Sequence, residues 1–174
     1  MKQMEIERKF VVRELPPGLL AATTSTLIRQ GYLQIEADYE LRIRQRGTQF
    51  WMTLKRGSGL KRLEQECPIE EVLFNMLWPL TEGRRIEKTR HLLLENGQQL
   101  EIDVFAGELS PLVLLEVEFE SVEKSRRFKI PEFASQEVTE EKAYKNSVLA
   151  TAGIPNMSFT PNTSGLTNIQ KGTK

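Results

Sequence analysis

One cysteine, Cys67, and one histidine, His91, are all that 174 residues provide of thiol and imidazole ligands. A lone cysteine cannot close an intramolecular disulfide, and neither a cysteine cluster nor a histidine-rich zinc site can be assembled. Any metal is left to carboxylates, which suit hard ions such as Mg²⁺ or Mn²⁺. An excess of one charge is also missing, since 24 Lys and Arg stand against 24 Asp and Glu. Nucleic-acid binders ordinarily carry a basic surplus, so long nucleic acid is not an expected partner. No apolar run approaches the roughly 18 residues that a membrane helix requires. Residues 1–10 are charged and lack the apolar centre of a signal peptide. A cytoplasmic protein that does not engage a membrane is the expectation.

What is present is an alternating pattern. With 39% hydrophobic and 28% charged residues the chain has an ordinary globular composition, and its length suits one domain with a real core. Segments near residues 4–12, 27–35, 39–46, 49–56, 60–69, 84–94, 99–105 and 113–120 alternate with a period of two, the signature of strands. Turn signals separate several of them: Arg46-Gly47-Thr48, Gly57-Ser58-Gly59 and Asn96-Gly97. An Asn-Gly pair between alternating runs marks a hairpin. The expectation is a mainly β (α+β) fold, an eight-stranded antiparallel closed barrel with covering helices.

Two stretches read as helix. Over Ile69 to Leu80, Val72, Leu73, Met76, Leu77 and Leu80 form one apolar stripe that would lie on the barrel. Over Thr139 to Ala152, Thr139 is a candidate N-cap, Glu140 and Glu141 favour the first turn, and Gly153 with Pro155 stops the helix. Residues 121–128 form a third, shorter candidate. The domain is expected over residues 1–155. Residues 156–174, rich in Asn, Thr, Ser, Gly and Pro, read as a flexible tail.

The polar faces of the strands are unusual. Charges of one sign recur two residues apart: Glu5 and Glu7, Arg42 and Arg44, Glu64 and Glu66, Lys88 and Arg90, Glu116 and Glu118, with Lys9 and Lys55 nearby. Residues i and i+2 on a strand share a face roughly 7 Å apart, where two like charges repel by about 2 kcal/mol at an effective dielectric near 20. A plain solvated surface would interleave the signs. If these faces turn inward, the six glutamates are neutralised by bound cations, and the Arg and Lys residues attract a polyanion. Metal and anion in one cavity point to a phosphate chain, because Mg²⁺ bridges carboxylates to phosphate oxygens and arginines bind phosphates bidentately. Ile6, Phe10, Leu41, Ile43, Leu54, Val117 and Phe119 would then face outward beneath the helices.

The N-terminal Glu5-x-Glu7-x-Lys9 resembles the signature of the CYTH superfamily, the triphosphate tunnel metalloenzymes. The order that follows, R-x-R, a lone Lys, E-x-E, K-x-R, Asp and E-x-E, makes the likeness specific over about residues 3–154. Arg29-Gln30-Gly31-Tyr32-Leu33, Thr81-Glu82-Gly83-Arg84-Arg85, Asp103-Val104-Phe105-Ala106-Gly107 and Tyr144-Lys145-Asn146 resemble short bacterial members that hydrolyse inorganic triphosphate. The resemblance implies that Glu5, Glu7 and Glu116 hold one metal, while Glu64, Glu66 and Glu118 hold or orient a second and its water. It implies one or two Mg²⁺ or Mn²⁺ ions in all. Lys9, Arg42, Arg44, Lys55 and Arg90 would bind phosphate, and Lys145, on the C-terminal helix, would close over it. Tyr32 and Lys88 match a pair that would activate water, and Asp103 would sit on the wall as a metal ligand or a supporting acid.

The expected reaction is tripolyphosphate plus water giving pyrophosphate and phosphate. Either a second metal or Lys88, with its pKa lowered among cations, would activate the water. Thiamine- or nucleoside-triphosphatase activity, adenylate cyclisation of the class IV type, and non-catalytic polyphosphate or nucleotide binding are the competing readings. The substrate is a small triphosphate, and the protein is a monomer or homodimer. Tyr32 also suits a wall aromatic, and His91 should point outward. Cys67 suits packing, Trp51 and Trp78 suit core or helix contacts, and Gly57-Ser58-Gly59 suits a hairpin turn.

Overall fold

The computed structural model describes residues 6–57 and 63–156. Glu5 and the tail from residue 157 lie outside the described residues. The alternating segments form β1 (Ile6–Val12), β2 (Thr24–Ile35), β3 (Tyr39–Arg46), β4 (Gln49–Arg56), β5 (Leu63–Pro68), β6 (Arg85–Glu95), β7 (Gln98–Phe105) and β8 (Val113–Phe119). A ninth strand that the sequence did not announce, β9 (Ala134–Glu137), follows α2 (Val122–Arg127). Helix α1 (Glu71–Leu77) lies between β5 and β6, and α3 (Asn146–Ala152) follows β9. No helix among the described residues is long and apolar enough to cross a membrane.

All strand pairs are antiparallel, in the order β5-β4-β3-β2-β6-β7-β8-β1-β9. The expected eight-stranded closed barrel is therefore corrected to a nine-stranded sheet that is not closed among the described residues. The reason lies at β1. One of its edges pairs with β8, and β9 takes the other, with Phe10 opposite Glu137 and Val11 opposite Gln136. No edge of β1 is left for β5.

The helices cover the sheet differently from the periodicity argument. Phe10, Val12, Ile102, Leu115, Val117 and Phe119 form a core on one face of β1, β7 and β8. Their cover comes from Leu15, Leu19 and Leu20 and from Phe128 and Phe133, not from the two expected helices. Helix α3 packs instead on the opposite face. There Leu149 and Tyr144 meet Val11, Ile86, Phe105 and Leu114. Its start is also corrected. Thr139 accepts from the Lys9 amide at 3.1 Å and donates to Glu137 at 2.8 Å, so it pins β1 to the end of β9 rather than capping a helix. Glu140 and Glu141 accordingly lie before the first turn of α3. Cys67, expected to pack, is exposed on the edge strand β5.

Helix α1 buries Phe74, stacked on Trp78 and tilted against Phe50, whereas Val72, Leu73 and Met76 of the expected stripe are exposed. Trp78 begins a short 3₁₀ turn, Trp78–Thr81, and Arg29 and Arg85 lie 4.4 and 4.6 Å from its ring. Thr81 is fully buried, donating to the Trp78 carbonyl at 2.7 Å and accepting from Arg85 Nε at 3.0 Å. It presses on Gly31 of β2, where an added Cβ would lie 2.4 Å from Thr81 Oγ1. Because Thr81 is held at both ends, Gly31→Ala should cost about 1–3 kcal/mol and lower the melting temperature by at least about 3 °C. An unchanged calorimetric melt of that variant would show that the turn is not packed against β2.

Candidate active site

Directly opposed residues in a ladder share a face, so the register decides which charges meet. Glu7 faces Glu118 and Lys9 faces Glu116 across β1 and β8. Glu116 faces Glu101 on β7, and Asp103 faces Arg90 on β6. Across β2, Lys88 is opposite Ile28, Gln30 is opposite Arg44 and Tyr32 is opposite Arg42. Arg42 and Arg44 then face Thr53 and Trp51, and Thr53 and Lys55 face Glu66 and Glu64. Every candidate residue on the described strands therefore projects from one face of the sheet. It is the face whose other end is filled by α3.

Two clusters divide this face. In the first, on β1, β6, β7 and β8, the fully buried Asp103 accepts from Arg90 Nε and Nη2, each at 2.7 Å, and from Lys88 Nζ at 2.5 Å. Arg90 also donates to Glu116 at 2.6 Å and to Glu101. Lys9 Nζ lies 2.9 Å from Glu116 and 3.5 Å from Glu7. Burial alone would raise the Glu116 pKa, but Lys88, Lys9 and Arg90 together hold it well below the usual carboxylate range. Glu7 behaves in the opposite way. Burial and then Glu116 push its pKa up, and Lys9 does not fully offset them. Glu101 is likewise raised, by burial and by Glu116, Asp103 and Glu118, against the pull of Arg90. Five acids (Glu7, Glu101, Asp103, Glu116 and Glu118) thus face three cations (Lys9, Lys88 and Arg90), and the deficit of neutralisation falls on Glu7 and Glu101 rather than on the tightly paired Asp103 and Glu116.

The second cluster, on β3, β4 and β5, is short of anion. Arg44 donates to Glu66 at 2.8 Å, and Lys55 and Arg42 lie 3.0 and 3.7 Å from Glu64. These cations keep Glu64 ionised, pulling its pKa down against burial. The Nε–H groups of Arg42 and Arg44 are buried with no hydrogen-bond partner. Burial and the neighbouring Arg42 lower the Arg44 pKa. Two adjacent guanidiniums with unmet donors are able to receive an anion, because an unpaired buried donor costs about 1–3 kcal/mol until an acceptor arrives.

A model of the CYTH domain matches residues 3–148. The chain belongs to the CYTH domain family. It is 53% identical over 148 residues to an inorganic triphosphatase of Nitrosomonas europaea, a match covering 84% of this chain and 96% of that protein. It is 36% identical over 147 residues to an inorganic triphosphatase of Acetivibrio thermocellus, covering 83% and 92%. A crystal structure of an inorganic triphosphatase superposes with a TM-score of 0.72 at 47% identity, over 87% of this chain and 97% of that one.

Within this CYTH domain some expected companions are apart. Lys88 and Tyr32 share the face, but Lys88 is level with Ile28, four positions along β2 from Tyr32. No hydrogen bond joins the two among the described residues. The partners of Lys88 are the Asp103 carboxylate and the Phe105 ring, not a surround of cations. The Tyr32 hydroxyl accepts from the buried Gln30 amide at 2.8 Å, and burial pushes its pKa up. Lys145 lies before the first turn of α3 rather than within it, with its side chain exposed. His91 points away from the site and pairs with Thr23 at 2.8 Å. Glu101, Gln30 and Thr53, which donates to Glu66 at 2.8 Å, also lie on this face and were not among the expected residues. Glu101-Ile102-Asp103 repeats the like-sign alternation, so Glu101 was open to detection by the rule that found the others.

Proposed function

We propose that this CYTH domain protein is an inorganic triphosphatase, hydrolysing tripolyphosphate to pyrophosphate and phosphate. The observation that carries the reading is the juxtaposition of unmet Arg42 and Arg44 donors with under-neutralised acids on one sheet face. A triphosphate with divalent metal satisfies both at once. The relatives named inorganic triphosphatase support the same choice.

A hard divalent ion, Mg²⁺ or Mn²⁺, fits the carboxylates of Glu7, Glu116 and Glu118, with Glu5 two positions before Glu7 in the sequence. Among the described residues no three acidic, histidine or cysteine side chains form a ready-made metal cluster. The fit therefore rests on charge and donor chemistry. Glu64 and Glu66 are the candidates for a second ion, although both are held by cations here. Asp103 has both oxygens engaged by Lys88 and Arg90, which favours its role as the acid that orients those two cations. The metal, when bound, supplies charge neutralisation at phosphate oxygens.

The chain's own groups do the positioning that phosphoryl transfer needs. Arg42 and Arg44 grip the polyphosphate by paired N–H donors, and Lys9 and Lys55 add point charges. Arg90, fixed by Asp103, Glu116 and Glu101, keeps its charge, since these carboxylates outweigh burial in raising its pKa. Lys88, the most buried amine on the face and held as a cation by Asp103, is the group we assign to orienting the attacking water. Tyr32, its pKa raised, stays protonated and acts as a donor. Lys145, exposed at the start of α3, is assigned to the rim.

³¹P NMR of tripolyphosphate, ATP and thiamine triphosphate with the same metal tests the substrate. We expect tripolyphosphate to give equal phosphate and pyrophosphate, at least about tenfold faster than either organic triphosphate. Faster ATP or thiamine triphosphate turnover, or cyclic AMP as the product, would overturn the assignment.

A further inference from the structure

Glu40 is an acid on the site face to which the triphosphate reading gives no task. It stands on β3 two residues before Arg42 and directly opposite Lys55 on β4. It therefore projects from the same face as both cations, its Cβ about 5 Å from that of Lys55. An acid in this position competes with phosphate for the groups that grip it. Its charge is felt across the cluster. The Tyr32 pKa is raised by burial first and by Glu40 as well, against the pull of Arg42.

Helix α3 occupies this competitor. The buried Ser147 hydroxyl, 107 residues further along the chain, donates to Glu40 Oε1 at 2.8 Å. The helix is already seated by Leu149 and Tyr144 in the core beside Ile86 of β6, so this bond is not what docks it. A hydroxyl donated to a carboxylate is a charge-assisted bond, and it fills an acceptor position that Lys55 or Arg42 would otherwise take. Lys55 meanwhile lies 3.0 Å from Glu64 on its other side, and Arg42 keeps its unmet Nε–H. We propose that Ser147 and Glu40 form a positioning pair, in which the serine restrains the Glu40 carboxylate so that it does not compete with phosphate for Arg42 and Lys55. The inference rests on the triphosphate reading of the site and adds to it a residue of α3 that sets substrate affinity without touching the reacting atoms.

Titration calorimetry with diimidotriphosphate and Mg²⁺ tests the pair without turnover, because P–NH–P links resist hydrolysis. Ser147→Ala releases Glu40 and should weaken binding by about tenfold. Glu40→Gln should bind at least as tightly as the wild type, since the competing charge is gone. The double variant should match Glu40→Gln, because the serine then has no charge left to restrain. In tripolyphosphate hydrolysis the Ser147→Ala loss should fall on KM, with kcat changed by less than about twofold. With normal wild-type binding, an undiminished affinity of Ser147→Ala overturns the pair alone, as does a loss carried by kcat or weaker binding by Glu40→Gln. A double variant as weak as Ser147→Ala, or a Ser147→Ala protein that does not fold, makes the bond a structural tether of α3 and overturns it too. A wild type that does not bind the analogue overturns the triphosphate reading and the proposal with it.

Discussion

Glu7→Gln and Glu116→Gln should each lower turnover by roughly 100-fold or more, yet only Glu116→Gln should lower the melting temperature of the metal-free protein. Both changes keep the side-chain shape and remove a carboxylate charge from the proposed metal site, so catalysis suffers alike, with partial recovery at high metal concentration. Their surroundings differ. Glu116 joins Lys9 and Arg90 in buried ion pairs, and these cations depress its pKa despite burial. Breaking such a pair leaves cations uncompensated and costs about 3–5 kcal/mol, so Glu116→Gln should melt at least about 5 °C lower. Glu7 has its pKa raised by burial and by Glu116. Its negative charge is a burden without metal, and Glu7→Gln should melt at or slightly above the wild type.

The pH dependence follows from the same signs. The contribution of Glu116 is full above the unfolded value of about 4.3 and is lost as pH falls below it toward the depressed folded pKa. The gap between wild type and Glu116→Gln should therefore narrow as pH falls from about 6 to about 3. The cost of ionised Glu7 is present at pH above its raised folded pKa and disappears as pH falls through the unfolded value, so any advantage of Glu7→Gln fades on acidification. Normal turnover of Glu116→Gln, or matching shifts of the two melts, would show that these glutamates do not differ as described.

The charged face was legible because a strand's period of two sorts side chains without knowledge of the tertiary structure. Arg42 and Arg44, or Lys88 and Arg90, had to share a face once their segments were strands. Pairing then placed neighbouring strands in register. That β9 takes the second edge of β1, leaving the described sheet unclosed, was not legible. Ala134–Glu137 carries no alternation, and its ladder with β1 is reinforced by side chains: Arg8 bonds Glu137, Ser135 donates to the Val11 carbonyl and Thr139 accepts from the Lys9 amide. Helix α1 shows a different limit. Periodicity located the helix correctly but not the side that packs, since the single aromatic Phe74 outweighs an aliphatic stripe when Phe50 and Trp78 are there to receive it. The start of α3 was misplaced by a good capping residue, Thr139, whose hydroxyl has a strand amide as its partner. Pairing of Asp103 with two cations was equally hidden, because the contact depends on side-chain reach across strands rather than on spacing.

Removal of the divalent metal should have the largest effect of all. Acids left under-neutralised at Glu7 and Glu101, opposite arginines with unmet donors, describe half of a site whose other half arrives with the substrate. Without the ion, the polyanion must approach those carboxylates unshielded, and phosphate oxygens lose the charge neutralisation on which their transfer depends. The direct measurement is phosphate release from tripolyphosphate with Mg²⁺ or Mn²⁺, in excess chelator, and after the metal is restored. Release that requires the ion, falls at least about 1000-fold in chelator and returns on re-addition is the predicted result. An undiminished rate in excess chelator, or no release with any divalent ion, would contradict the account.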